Sequence, residues 1–131
     1  MIGLDTNILV RYITQDDAYQ GAAASRVIES LSSESPGFVP LVVIAELVWV
    51  LQFSYEFSKQ EIAEVIEKLL RSTELLVEQT ETVAQALRTF RSGRADFPDC
   101  LIERCAQAAG CQHAVTFDRR AASIAGMRLI P

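Results

Sequence analysis

Apolar and polar positions alternate along the chain in blocks that change period repeatedly. Ile2, Gly3 and Leu4 open as a short apolar run that fits a buried strand, and a helix follows from about Asn7 to Ile13. Ala24, Val27, Ile28 and Leu31 recur at helical spacing within 18–32, and SSESPG then breaks the pattern as a loop. GFVP reads as a very short strand, with Pro40 opening a helix through Leu51 or Gln52. The amphipathic signal is strongest in SKQEIAEVIEKLLRS. There Ser58 and Glu61 form a capping box, and Ile62, Val65, Ile66, Leu69 and Leu70 line one stripe. ELLVE is a short strand, and Thr80 caps a helix running through Val83, Ala86, Leu87 and Phe90 to Gly93. A further helix spans Pro98 to Ala109 before Gly110, followed by the strand HAVTF, a short helix over DRRAASIA and a last strand, MRLI. Strands alternating with helices predict an α/β fold with a mainly parallel sheet. Functional residues in such sheets lie just past the carboxyl ends of the strands.

Four acids depart from this pattern. Asp5 ends the first strand, where a helix N-cap and a site residue are equally good readings. Glu46 is the one charge in FVPLVVIAELVWVL. A helix apolar on nearly all sides is a core helix, in which an unpaired carboxylate would cost several kcal/mol or stay protonated. In RADFPDCLIERCAQAAG, a rotation of ~100° per residue puts Leu101, Ile102, Cys105, Ala106, Ala108 and Ala109 on a buried arc, and Glu103, Arg104 and Gln107 on a wet one. Asp99 falls at the edge of the buried arc and is the better functional candidate. Asp96 precedes Pro98 and suits an N-cap, with an auxiliary role left open. Asp118 repeats the pattern of Asp5 at the end of HAVTF, pointing to the same sheet edge.

Composition narrows the chemistry. With 131 residues, 50% of them hydrophobic and 22% charged, the chain is expected to be one ordered domain over 1–131. Twelve Lys and Arg against seventeen Asp and Glu leave a net charge of −5, so the global basic footprint of a simple nucleic-acid-binding module is missing. Any RNA contact must use a local patch or bound cations. Cys100, Cys105 and Cys111 match no zinc spacing and His113 does not complete one, so buried small hydrophobes are the expectation. An odd cysteine count suits a reducing, cytoplasmic setting. The apolar stretch from Phe38 to Leu51 is shorter than the ~20 residues that span a bilayer, so no membrane association is expected.

Carboxylates gathered in a cleft repel one another unless divalent cations sit among them. Hard oxygen donors select Mg²⁺ or Mn²⁺ over zinc. Such an ion activates water and neutralises charge developing on a phosphoryl group, and it bridges an acidic protein to an acidic substrate.

The blocks LDTNIL, VVIAELVWVL, ADFPDCLI and VTFD, in that order, resemble the signature blocks of PIN-domain proteins. Their spacing is similar to that of VapC-type ribonuclease toxins of bacterial toxin–antitoxin pairs. The resemblance covers essentially the whole chain, though no single block is specific. It implies a three-layer α/β/α fold around a mainly parallel sheet of four to five short strands, and a Mg²⁺- or Mn²⁺-dependent endoribonuclease. Asp5, Glu46, Asp99 and Asp118 match the family's acidic set, and Asp96 an additional acid of many members. Thr6, Asn7 and Thr116 fall at polar positions beside the acids. A small antitoxin partner and a homodimer are also implied.

Among basic residues, Arg11, Arg94, Arg119 and Arg120 flank the acids and are candidate phosphate contacts, since guanidinium matches phosphate bidentately. Trp49 reads as core, whereas Phe53 and Phe57 suit contact with a partner. Two other functions compete. In an aspartyl-phosphate phosphatase or receiver domain Asp5 would be the nucleophile or phosphoacceptor. A phosphatase would carry a second Asp where Asn7 stands, and neither chemistry employs Glu46. A non-catalytic module would keep the acids as caps and hydrogen-bonding groups.

Overall fold

A computed structural model describes residues 1–131. The fold is mixed α/β, with six α-helices and five short strands. It comprises two compact units, Met1–Glu78 and Gln79–Pro131. No helix is long and apolar enough to cross a membrane.

The first unit runs β1 (Ile2–Gly3), α1 (Thr6–Thr14), α2 (Ala18–Glu29), β2 (Gly37–Val39), α3 (Leu41–Ser54), α4 (Lys59–Arg71) and β3 (Leu75–Val77). Its strands form a parallel ladder in the order β1-β2-β3, with Ile2 opposite Gly37 and Phe38 opposite Leu76. Short strands leave little room for an alternating pattern, and β1 is exposed on both residues instead of buried. Leu4, one step beyond it, is the residue that enters the core. α4 follows its sequence signature closely. Ser58 and Glu61 form the reciprocal capping box, and Ile62, Ala63, Ile66 and Leu69 are buried.

α3 begins after Pro40, which supplies no side-chain cap. The Glu78 carboxylate, just past β3, accepts a 2.7 Å hydrogen bond from the Leu41 N–H. A carboxylate at a helix N-terminus satisfies a free donor and complements the macrodipole. Val43, Ile44, Leu47, Val48 and Leu51 form the buried face of α3.

The second unit runs α5 (Thr80–Ser92), α6 (Phe97–Ala108), β4 (Ala114–Thr116), a single 3₁₀ turn (Ala121–Ser123) and β5 (Met127–Leu129). α5 and α6 pack through Val83, Ala86, Leu87, Phe97, Cys100 and Leu101, and Phe90 meets Phe97 edge-to-face at 5.7 Å. Thr80 is not the N-cap of α5. That position belongs to Gln79, which takes a left-handed conformation at φ 52° and makes no side-chain cap bond. The helix expected over DRRAASIA is reduced to the 3₁₀ turn. β4 and β5 pair in parallel as a ladder of their own, so every strand pairing is parallel but the pairings are divided between two ladders.

α6 is rotated from the arc its sequence suggests. Ile102 is exposed, whereas Glu103 is buried and held by its neighbour Arg104, which donates from Nε and Nη2 at 2.7 Å each. A buried charge is tolerated when paired and hydrogen-bonded, and the guanidinium fork provides that pairing locally. Gly126 covers this carboxylate at φ 99°, and a Cβ there would lie 2.7 Å from Glu103 Oε2. Of the cysteines, Cys100 alone is buried, Cys105 is half-buried and Cys111 exposed, so small-hydrophobe burial holds for the first only.

Gly110 has a similar φ of 91°, but a Cβ added there would project into open space. Gly110→Ala is therefore expected to cost about 1 kcal/mol of strain alone. Gly126→Ala adds crowding of Glu103 and should cost more, with a lower urea midpoint and an unchanged m-value.

Candidate metal and phosphate site

Asp5 lies two residues beyond β1 and is the N-cap of α1, its Oδ1 accepting from the Thr6 N–H at 2.7 Å. Both readings of this residue are therefore compatible, because a capping carboxylate still has an oxygen free. The Thr6 side chain is buried, and its hydroxyl donates to Glu46 Oε1. One residue pair thus ties the start of α1 to the middle of α3.

Glu46 itself is exposed. It is not a carboxylate stranded in a core helix, because α3 is not covered on every side. Val42, Trp49 and Phe53 are also exposed and mark the same uncovered face. Trp49 is 56% accessible and is not a core residue. Phe53 is exposed and Phe57 half-buried.

A groove of about 570 Å³ is lined by Asp5, Thr6, Asn7, Arg11, Glu46, Trp49 and Tyr55, with Val10, Val50 and Ser54. Arg11 is already engaged. Its Nη1 meets Asp16 at 2.8 Å and Tyr55 Oη at 3.3 Å, and its Nε donates to Gln20 at 2.7 Å. Asp16 also accepts from Tyr55 Oη at 2.6 Å and Thr14 Oγ1 at 2.9 Å. Bonds from Tyr55 first, then Arg11 and Thr14, hold its carboxyl down at about 2.

In the second unit, Asp96 takes the N-cap position of α6, though its side chain makes no cap bond. Asp99, in the first turn, is half-buried. Burial pushes its carboxyl above the ordinary range, and the charges of Asp118 and Asp96 push it the same way. Asp118 and Asp96 are therefore near enough for their charges to oppose the ionisation of Asp99. Asp118 lies two residues past β4, as Asp5 does past β1. Its Oδ1 accepts from the N–H groups of Arg120 at 2.8 Å and Ala121 at 3.4 Å, while its own N–H donates to Thr116 Oγ1 at 3.0 Å. Arg94, Arg119 and Arg120 are exposed. The two strand-ending acids belong to different ladders, so the expectation of a single sheet edge is not what places them.

The donors are of one chemical kind, hard carboxylate and hydroxyl oxygens, which fit Mg²⁺ or Mn²⁺ in type. No three or more His, Cys, Asp or Glu side chains are gathered as a set that could hold a metal ion.

The PIN domain family model matches residues 2–127. The chain is also 30% identical over 118 residues to a VapC ribonuclease of Aquifex aeolicus, covering 89% of this chain and 87% of the relative. The chain belongs to the PIN domain family. A further likeness, at a TM-score of 0.48 and 19% identity over the full length of both chains, is to the crystal structure of the Mycobacterium tuberculosis VapC20 toxin, described as cleaving the sarcin–ricin loop. The PIN match takes in Asp5, Glu46, Asp96, Asp99 and Asp118 alike. Sequence reasoning missed Tyr55 and Asp16 beside Arg11. Their partnership spans 39 residues, and no local pattern announces it.

Titration separates two of these acids by sign. With its carboxyl held low, Asp16 stabilises the fold at pH values above 3.8, and this contribution disappears as the pH falls toward about 2. Asp16→Asn should therefore lower Tm near neutral pH and converge on wild type once the pH falls below about 2. Asp99 has the opposite sign, because its ionised form is disfavoured in the folded state. Asp99→Asn should raise Tm of the metal-free PIN domain near neutral pH, and the gain should vanish once the wild-type carboxyl is protonated.

Proposed function

We propose that this PIN domain is a metal-dependent endoribonuclease that hydrolyses RNA phosphodiester bonds. Asp5, Glu46, Asp99 and Asp118 are the acids that hold Mg²⁺ or Mn²⁺, with Asp96 auxiliary to them. The observation that carries the reading is the pairing of Asp5 and Glu46 in one open groove, joined through Thr6. It is supported by family membership and by the 30% identity to a VapC ribonuclease. A bound divalent ion supplies an activated water and charge neutralisation at the phosphoryl group.

The protein's own groups do the rest. The Thr6 hydroxyl orients Glu46, and such orienting bonds are worth roughly 10- to 100-fold in affinity or rate. The Asp118 turn is fixed by Thr116 and by two backbone donors, which set the direction of its free oxygen. Asn7 lines the groove beside Asp5. Arg94, Arg119 and Arg120 are exposed and free to meet RNA phosphates, whereas Arg11 reaches a phosphate only with the guanidinium donors that Asp16 and Gln20 leave open. The acidic balance of the chain makes the cation essential for substrate approach. A small antitoxin and a second copy are the proposed protein partners, with Phe53 and Phe57 as candidate contacts, and the cytoplasm is the proposed compartment.

Incubating total RNA with the protein and Mg²⁺ or Mn²⁺ should yield discrete fragments, and EDTA should abolish them. Asp5→Asn and Glu46→Gln should each lower the rate by ~100-fold or more, the scale seen when a group stabilising transition-state charge is lost. Far-UV circular dichroism should be unchanged. Absence of cleavage by wild type under every metal condition would remove the reading.

A further inference from the structure

Trp49 lies three residues after Glu46 on α3 and lines the same groove as Asp5 and Glu46, yet the proposed hydrolysis makes no use of it. Its indole is 56% exposed, and the ring of Phe53 props it at 5.4 Å with a 49° tilt. Leaving so large an apolar ring in water forfeits the stabilisation that burial would bring. Arg11 and Tyr55 are already bonded to Asp16. The largest surface the groove leaves open to a ligand is a flat aromatic face, next to two carboxylates and the polar Asn7.

The nature of the occupant follows from that combination. A protein helix laid over Trp49 would desolvate Asp5 and Glu46 against apolar side chains, at a cost of several kcal/mol for unpaired charge. A nucleotide brings both complements at once: a phosphate for the cation held by the carboxylates, and a base for the indole. Every base presents a π-face, but a base inside a duplex is already stacked.

We propose that Trp49 is the stacking platform for an unpaired base of the RNA, adjacent to the phosphate addressed by Asp5 and Glu46. It thereby makes the groove discriminate against duplex RNA. The proposal rests on the endoribonuclease reading.

Trp49 is the only tryptophan in the chain, so its emission reports the contact directly. Titrating the Asp99→Asn protein in Mg²⁺ with a short unstructured oligoribonucleotide should quench that emission, and the same strand annealed to its complement should not. In cleavage assays Trp49→Ala should raise KM about tenfold, within the range for loss of one stacked base, with kcat close to wild type. Trp49→Phe should restore most of the loss. If wild type cleaves RNA while Trp49→Ala keeps its KM and emission is unmoved, the stacking role is wrong and the ribonuclease reading stands. If Trp49→Ala instead converts a wild-type dimer to monomer in sedimentation without changing KM, the face belongs to a second copy and the proposal is overturned. If wild type neither cleaves RNA nor changes its emission, both fail together.

Discussion

The hydrogen bond from the Thr6 hydroxyl to Glu46 is the contact on which the candidate site in the first unit depends. It joins a residue in the first turn of α1 to one 40 positions later in the middle of α3. The Thr6 backbone donates to Asp5, so a single residue orients both acids. Thr6 is itself buried, and a buried hydroxyl needs a partner. The requirement to satisfy one polar group therefore helps to hold two carboxylates at the rim of one groove.

The same economy appears at α3. Pro40 provides no side-chain cap, and Glu78 takes that role from beyond β3. The helix is anchored on one side by Val43, Ile44, Leu47, Val48 and Leu51, while Val42, Glu46, Trp49 and Phe53 face water. The role proposed for Glu46 follows from that unequal covering. The acid sits among aromatic and aliphatic groups that a ligand can use, and remains accessible because α3 is only half enclosed.

Carboxylate behaviour in the two units contrasts for reasons of local company. Asp16 is surrounded by donors from Tyr55, Arg11 and Thr14, so its ionised form is favoured. Asp99 is partly desolvated and faces the charges of Asp118 and Asp96, so its ionised form is disfavoured. The first arrangement orders a surface network. The second stores repulsion that a cation would relieve, which suits the role proposed for Asp99.

Sequence by itself determined the alternation of strands and helices, the parallel pairing, the capping box at Ser58 and Glu61, and the order of the acids. These follow from local periodicity, from turn chemistry and from the motif blocks shared with PIN domains. Tertiary structure alone decided which face of each helix is covered. α3 has almost no polar side chains from which to read an orientation, so the exposure of Glu46 and Trp49 was invisible until neighbouring elements were in place. α6 misled in the other direction. Arg104 neutralises Glu103 locally, which lets a charged residue turn inward beneath Gly126 while Ile102 turns out. Periodicity records the hydrophobicity of each position, but burial depends on which surfaces meet and whether each buried charge finds its partner.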